Sequence, residues 1–249
     1  MEWEVLALLV GVAVAAGAQN AVAGGGSFLS FPALLFAGVP PIAANATNTV
    51  ALWPASLSAA YAFRHDLTHE RRVLVLFGVV SLAGGLLGAL LLLLTPERTF
   101  TALIPWLLGG ATLIFAVGPS LTSRLRARDM HAPLWLASFV QLAIGIYGGY
   151  FGGGIGILML AALAALGMTQ IHAMNGLKNI LGAGINGIAV VTFAVAGVVV
   201  WPVALAMVVG ATVGGYAGAR LSRRVDPKYL RAFIIAVGAV LTVYFALRG

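Results

Sequence analysis

Long apolar stretches alternate with short polar ones along the 249 residues, and no regular two-residue alternation accompanies them. Runs of about 18 or more apolar residues have the length of a bilayer-crossing helix, whereas barrel strands would show ~10-residue segments of alternating polarity. The pattern predicts helical segments at 3–19, 27–38, 41–63, 72–94, 99–118, 133–150, 153–167, 170–196, 200–220 and 229–247. At ~1.5 Å per residue, the second, sixth and seventh are short for a ~30 Å hydrocarbon core. These short pieces flank two glycine interruptions, Gly24-Gly25-Gly26 and Gly152-Gly153-Gly154.

Composition settles the solvent. Hydrophobic residues make up 61% of the chain and charged residues 8%, with a mean hydropathy of +1.03; a soluble domain carries about 25% charged residues. An all-α integral membrane protein is expected, with the lipid bilayer as its first partner. There is no Cys, which excludes disulfides, thiolate metal sites and a cysteine nucleophile. Residues 1–18 carry a cleavage-like Ala16-Gly17-Ala18, but Glu2 and Glu4 stand where a signal peptide needs positive charge. They are read as a retained first helix.

The net charge of +7 sits in short connections, as the insertion rule for cytoplasmic loops requires, so no nucleic-acid partner is expected. Arg64, Arg71 and Arg72 mark one such loop, Arg124, Arg126 and Arg128 a second, and Arg220, Arg223, Arg224, Lys228 and Arg231 a third. The connections near Glu97-Arg98 and from Gly197 to Trp201 carry no excess and should face out, as should the N-terminus. The location expected is the inner cell membrane, multi-pass. Counting crossings between these sides gives each half an odd number in opposite senses, hence about eight spans in two inverted repeats, each with a glycine-interrupted segment. Residues 1–120 form the first repeat, 121–132 a cytoplasmic linker and 133–249 the second. Residue spacing agrees: the glycine triplets are 128 residues apart, and Asn45-Ala46-Thr47-Asn48 aligns with Asn175-Gly176-Leu177-Lys178 at 130. Paired interrupted segments in inverted repeats point to a transporter's midplane substrate site.

A helix that restarts after a glycine break presents unpaired N–H groups and a partial positive charge, which favour an anion. Glycines also simply permit close helix packing, and with 32 of them most serve that end. Gly148 to Gly154 lacks the strand and acidic partner of a dinucleotide fingerprint. The polar clusters after the breaks are more specific. Asn175, Lys178, Asn179 and Asn186 share one helical face, matched in the first half by Asn45, Thr47, Asn48 and Thr49. Lys178 lies eight residues inside an apolar span, and a buried ionisable group in a membrane is a functional candidate. It makes proton coupling an expectation as well. All seven acids, Glu2, Glu4, Asp66, Glu70, Glu97, Asp129 and Asp226, fall in termini or loops, so a cation site lacks ligands. A small anionic substrate is expected, with no metal and no cofactor. Asn20 and Gln19 before the first break, and Gln141 in segment 133–150, are candidate lining groups, although helix–helix hydrogen bonds would use them equally well. His65, His69 and His131 fall in loops, and His172 lies near a helix mouth.

The runs Gly24-Gly25-Gly26-Ser27-Phe28-Leu29-Ser30-Phe31-Pro32, Gly38-Val39-Pro40-Pro41 and Ala44-Asn45-Ala46-Thr47-Asn48 resemble the first half-signature of the TauE/SafE sulfite-exporter (TSUP) family. Gly152-Gly153-Gly154-Ile155-Gly156, Gly167-Met168 and Ala173-Met174-Asn175-Gly176-Leu177-Lys178 resemble the second. Leu177 departs from it, standing where a hydroxyl residue is common. The resemblance implies a carrier of sulfite, sulfonates or related organosulfur anions, generally in the export direction, with the proton gradient as a candidate driving force. The expected site combines Asn20, Gly24, Gly25, Gly26, Asn45, Thr47, Asn48, Gln141, Gly152, Gly153, Gly154, Asn175, Lys178 and Asn179. An anion channel, an uptake permease for another small carboxylate or sulfur anion, and a membrane scaffold are the competing readings. An intramembrane enzyme lacks a base beside its hydroxyls. An oligomer would need an apolar outer seam, the same composition lipid contact requires, so oligomeric state is left open.

Overall fold

The computed structural model describes residues 3–22, 25–62, 71–127, 132–221 and 227–248. They form ten α-helices: α1 (Trp3–Val22), α2 (Ser27–Phe36), α3 (Pro41–Ala62), α4 (Arg71–Leu94), α5 (Glu97–Ala127), α6 (Leu134–Tyr150), α7 (Ile155–Ala165), α8 (Ile171–Val195), α9 (Trp201–Leu221) and α10 (Pro227–Arg248). Each predicted segment has its helix. The main difference is α5, which continues past Pro119 through Arg124 and Arg126, so the stretch expected as a linker from 121 is helical as far as Ala127. Basic residues in a last turn suit the negative end of the helix dipole.

Among the described residues, five helices are long and apolar enough to cross a membrane, over Trp3–Asn20, Val73–Leu94, Glu97–Ala127, Ala173–Val195 and Trp201–Gly218. A count of eight would add α3, diluted by its Asn and Thr residues, together with α6 and α10, each with an apolar stretch of 17 residues at most. With 10 and 11 residues, α2 and α7 reach only ~15 Å at ~1.5 Å per residue, half a bilayer core. Large apolar side chains cover the outside of the bundle, among them Val75, Val79, Leu94, Trp106, Phe139 and Val209. In water such a surface would drive association; lipid tails solvate it.

Two packing seams hold the bundle. On α9, Gly210, Gly214 and Gly218 lie against Val10, Val14 and Ala18 of α1; on α4, Gly84 and Gly88 lie against Leu142 and Ile146 of α6. Lipid gives no hydrophobic reward for helix association, so close backbone approach across small residues supplies van der Waals contact instead. The seams are equivalent, since Gly84 and Gly88 fall 130 residues before Gly214 and Gly218. The remaining pairs follow suit: α3 packs on α9 and α8 on α4, α5 on α7 and α10 on α2, α1 on α3 and α6 on α8, with α3 on α8 and α5 on α10 across the middle. Exchanging α1–α5 with α6–α10 maps these pairs onto themselves.

Helix directions follow from the same contacts. The partners of Gly84 and Gly88 advance together, so α4 and α6 are parallel; Gly109 meets Thr242 while Gly238 meets Thr112, so α5 and α10 are antiparallel. With the tight turn joining α4 to α5, α10 therefore runs parallel to α4 and α6. The last residue of α2, Phe36, packs on Tyr244 and Phe245 near the end of α10 with ring centroids 5.4 and 6.0 Å away. The last carbonyl of α7, Ala165, accepts the Ala132 N–H just before α6 begins, at 2.8 Å. The two half-helices thus point to opposite ends of the bundle, and their N-termini start from its interior.

Candidate functional site

The interior is organised by the two breaks. After α1 the chain turns at Gly25, with φ +84, and after α6 at Gly152 and Gly154, with φ +82 and +79. These are left-handed conformations that an L side chain rarely adopts. Both breaks are tied in the same way. The Gln19 amide donates to the Gly25 carbonyl at 2.9 Å, and 128 residues later the Tyr147 hydroxyl donates to the Gly153 carbonyl at 2.7 Å. The repeat partner of Gln19 is therefore Tyr147, which sequence comparison alone passes over because the residue types differ.

At the start of α7 the carbonyls are engaged and the donors are not. The Gly154 carbonyl accepts from Ile157 and Leu158, whereas among the described residues the N–H groups of Gly153, Gly154, Ile155 and Gly156 meet no backbone acceptor. No side chain caps the helix. The stem of Lys178, from α8, lies over this first turn: a Cβ at Gly156 would stand 3.2 Å from Lys178 Cδ. Lys178 is partly buried. Orphan N–H groups, the positive end of a helix and an ammonium together can hold an anion.

The first half places polar groups in the equivalent position. Ser30, in the first turns of α2, lies 3.1 Å from the Gly26 carbonyl and also bonds to Asn48 Oδ1. Asn48 is 2% exposed and occupies the place relative to α2 that Lys178 occupies relative to α7. With Oδ1 accepting from Ser30, the amide N–H groups are the donors that Asn48 still has to offer. Asn20 packs on the same break, its Cβ 3.2 Å from where a Gly26 side chain would begin.

Other expected residues bind the scaffold. Asn45 donates to the Tyr150 carbonyl at 3.0 Å, joining α3 to the end of α6. The Thr47 hydroxyl accepts the Val200 N–H at 3.0 Å, holding the connection into α9; its counterpart Leu177 is fully buried in an apolar cluster and offers no such acceptor. Gln141 donates to Ser81 at 2.8 Å across the α4–α6 seam. Asn175 and Asn179 are partly buried on the Lys178 face of α8. Gly24, Arg64, Arg128, Arg223, Arg224, His65, His69 and His131 lie outside the described residues.

One residue at the centre carries no sequence signal. Phe115 of α5 is 2% exposed, and its ring touches both breaks. A Cβ at Gly25 would stand 3.2 Å from its Cε2, and one at Gly154 3.6 Å from the same atom. It packs edge-on against Phe28 of α2 at 5.4 Å, with Phe31 against Phe151 nearby at 5.6 Å. The N-termini of α2 and α7 converge on this ring.

Comparison with known proteins places the chain in a family. Residues 9–245 match the family model "Sulfite exporter TauE/SafE". A "Probable membrane transporter protein ORF9" from Sinorhizobium sp. is 29% identical, covering 98% of this chain and 93% of the relative. The "Probable membrane transporter protein YfcA" of Escherichia coli strain K12 is 30% identical over 95% of this chain and 88% of its own length. No solved structure matches the chain significantly. Its relatives are named as membrane transporters, and the chain belongs to the TauE/SafE sulfite exporter family.

Proposed function

We propose that this family member is a secondary transporter that exports sulfite, a sulfonate or a related small organosulfur anion across the cytoplasmic membrane by alternating access. The observation that carries the reading is Lys178 lying over the uncapped first turn of α7, where Gly156 leaves room for its stem. The family name supplies the substrate class, and the site supplies its charge: the described acids, Glu4 and Glu97, are exposed in the first turns of α1 and α5, so among the described residues no carboxylate is placed in the interior for a cation. The exchange symmetry of the helix pairs supports two inverted halves, the architecture in which half-helix N-termini face anionic substrate groups. Proton coupling is part of the proposal and rests on Lys178 as the ionisable group of the interior.

Purified protein in proteoliposomes should take up labelled sulfite or a sulfonate, with uptake changed by an imposed pH gradient. Replacing Lys178 with Ala should lower uptake by at least tenfold in protein that elutes and melts like the parent. Uptake unaffected in Lys178→Ala would remove the lysine from the site, and the absence of flux for every such anion in the parent would end the transport reading. Movement against a concentration gradient separates a transporter from an anion channel.

A further inference from the structure

Resting on that reading, we propose that Phe115 is the septum of the transport path: its ring closes the point at which the two half-helix N-termini meet, and flux requires it to move. Three observations support this. Gly25 and Gly154 border the same ring atom, Cε2, with Ile114 also against Gly154, so the ring stands between the break before α2 and the break before α7. A Cβ at Gly25 would lie 2.6 Å from ring Cζ, so the absence of a side chain there is what admits the ring. The ring is packed in the apolar core and, among the described residues, makes one aromatic contact, edge-on to Phe28 at 5.4 Å; a phenyl ring has no hydrogen bond that motion would break.

The chemistry fits a barrier to an anion. A phenyl ring offers neither a hydrogen-bond donor nor a net charge to replace the hydration an anion would lose beside it. An anion attracted by the α7 N-terminus therefore meets a carbon wall before it reaches α2. The N-termini attract and the ring excludes, so the substrate can occupy one side without a continuous water path to the other. Phe115 lies on α5 between Pro105 and Pro119. Proline removes an intrahelical bond and weakens the helix around it, so a shift of this segment can carry the ring aside.

The test uses the full-length protein in proteoliposomes, with labelled sulfite and with iodide as a probe the protein has no reason to select. Phe115→Ala should collapse gradients of both ions at least tenfold faster than the parent and abolish sulfite accumulation. Phe115→Leu, which keeps most of the volume, should leak to an intermediate degree, and it provides the reading if the alanine variant does not fold. Variants that retain the parent's thermal stability, accumulate sulfite and show no added leak would overturn the septum. The two readings can fail separately. A parent inert toward sulfite with a leaky Phe115→Ala sinks the transport reading and keeps the septum; a tight Phe115→Ala sinks the septum whatever the parent does.

Discussion

At the scale of single residues, the same amide or hydroxyl does different work depending on what the fold puts opposite it. Asn48 and Gln141 are equally unusual in an apolar segment, yet Asn48 sits at a helix restart beside Ser30, while Gln141 bonds Ser81 between two full-length helices. Hydrogen bonds between membrane helices contribute ~0.6 kcal/mol on average. Gln141→Leu should therefore cost less than about 1 kcal/mol of stability and leave sulfite uptake within roughly twofold of the parent. A tenfold loss in a folded variant would return Gln141 to the site. Lys178 differs again, because no acid among the described residues is placed to neutralise it and its surroundings are already electropositive. Its retention there is costly unless an anion shares the space.

At the scale of elements, two kinds of glycine separate. Those at 25, 152 and 154 bend the chain, whereas Gly84, Gly88, Gly214 and Gly218 lie in continuous helices and let a neighbouring backbone approach. A Cβ at Gly84 would stand 2.7 Å from the Leu142 carbonyl oxygen, and one at Gly88 2.8 Å from the Tyr150 nitrogen. Backbone has no rotamer with which to yield. Gly84→Ala or Gly88→Ala should destabilise by about 1–3 kcal/mol, lowering the melting temperature in detergent by roughly 3–10 °C. At Gly78 of the same helix a Cβ would meet nothing within 4 Å; Gly78→Ala should leave the melting temperature unchanged or raise it, since Ala favours helix. Equal responses at Gly78 and Gly88 would refute the seam. The half-helices α2 and α7 are short because a Gly with left-handed φ closes each, Gly38 at +79 and Gly167 at +88.

At the scale of the whole molecule, the exchange of helix pairs between halves predicts a sidedness that a labelling experiment can read. The chain has no Cys, so a single introduced thiol is an unambiguous reporter. Thr99, at the start of α5, and Ser123, near its end, are both exposed. In right-side-out membranes, Thr99→Cys should react with an impermeant thiol reagent and Ser123→Cys should not, with the reverse in inverted vesicles. Identical sidedness at both positions would break the topology. The same experiment on residues flanking α3, α6 and α10 would decide whether the count of full crossings reaches eight.

The sequence by itself determined the class, the ten helical segments and the repeat, because each is written in local quantities: apolar run length, the spacing of glycine triplets and the placement of arginines. It also marked Asn48 and Lys178, since polar groups inside apolar runs are conspicuous. Tertiary structure alone showed which marked residues lie at a helix restart and which hydrogen-bond other elements of the scaffold, as Asn45, Thr47 and Gln141 do. It alone singled out Phe115, one of 12 phenylalanines, and matched Gln19 with Tyr147. The physical reason is that burial, hydrogen-bond partners and ring contacts are set by helices distant in the chain, and a phenylalanine against lipid reads the same as one lodged between two helix N-termini.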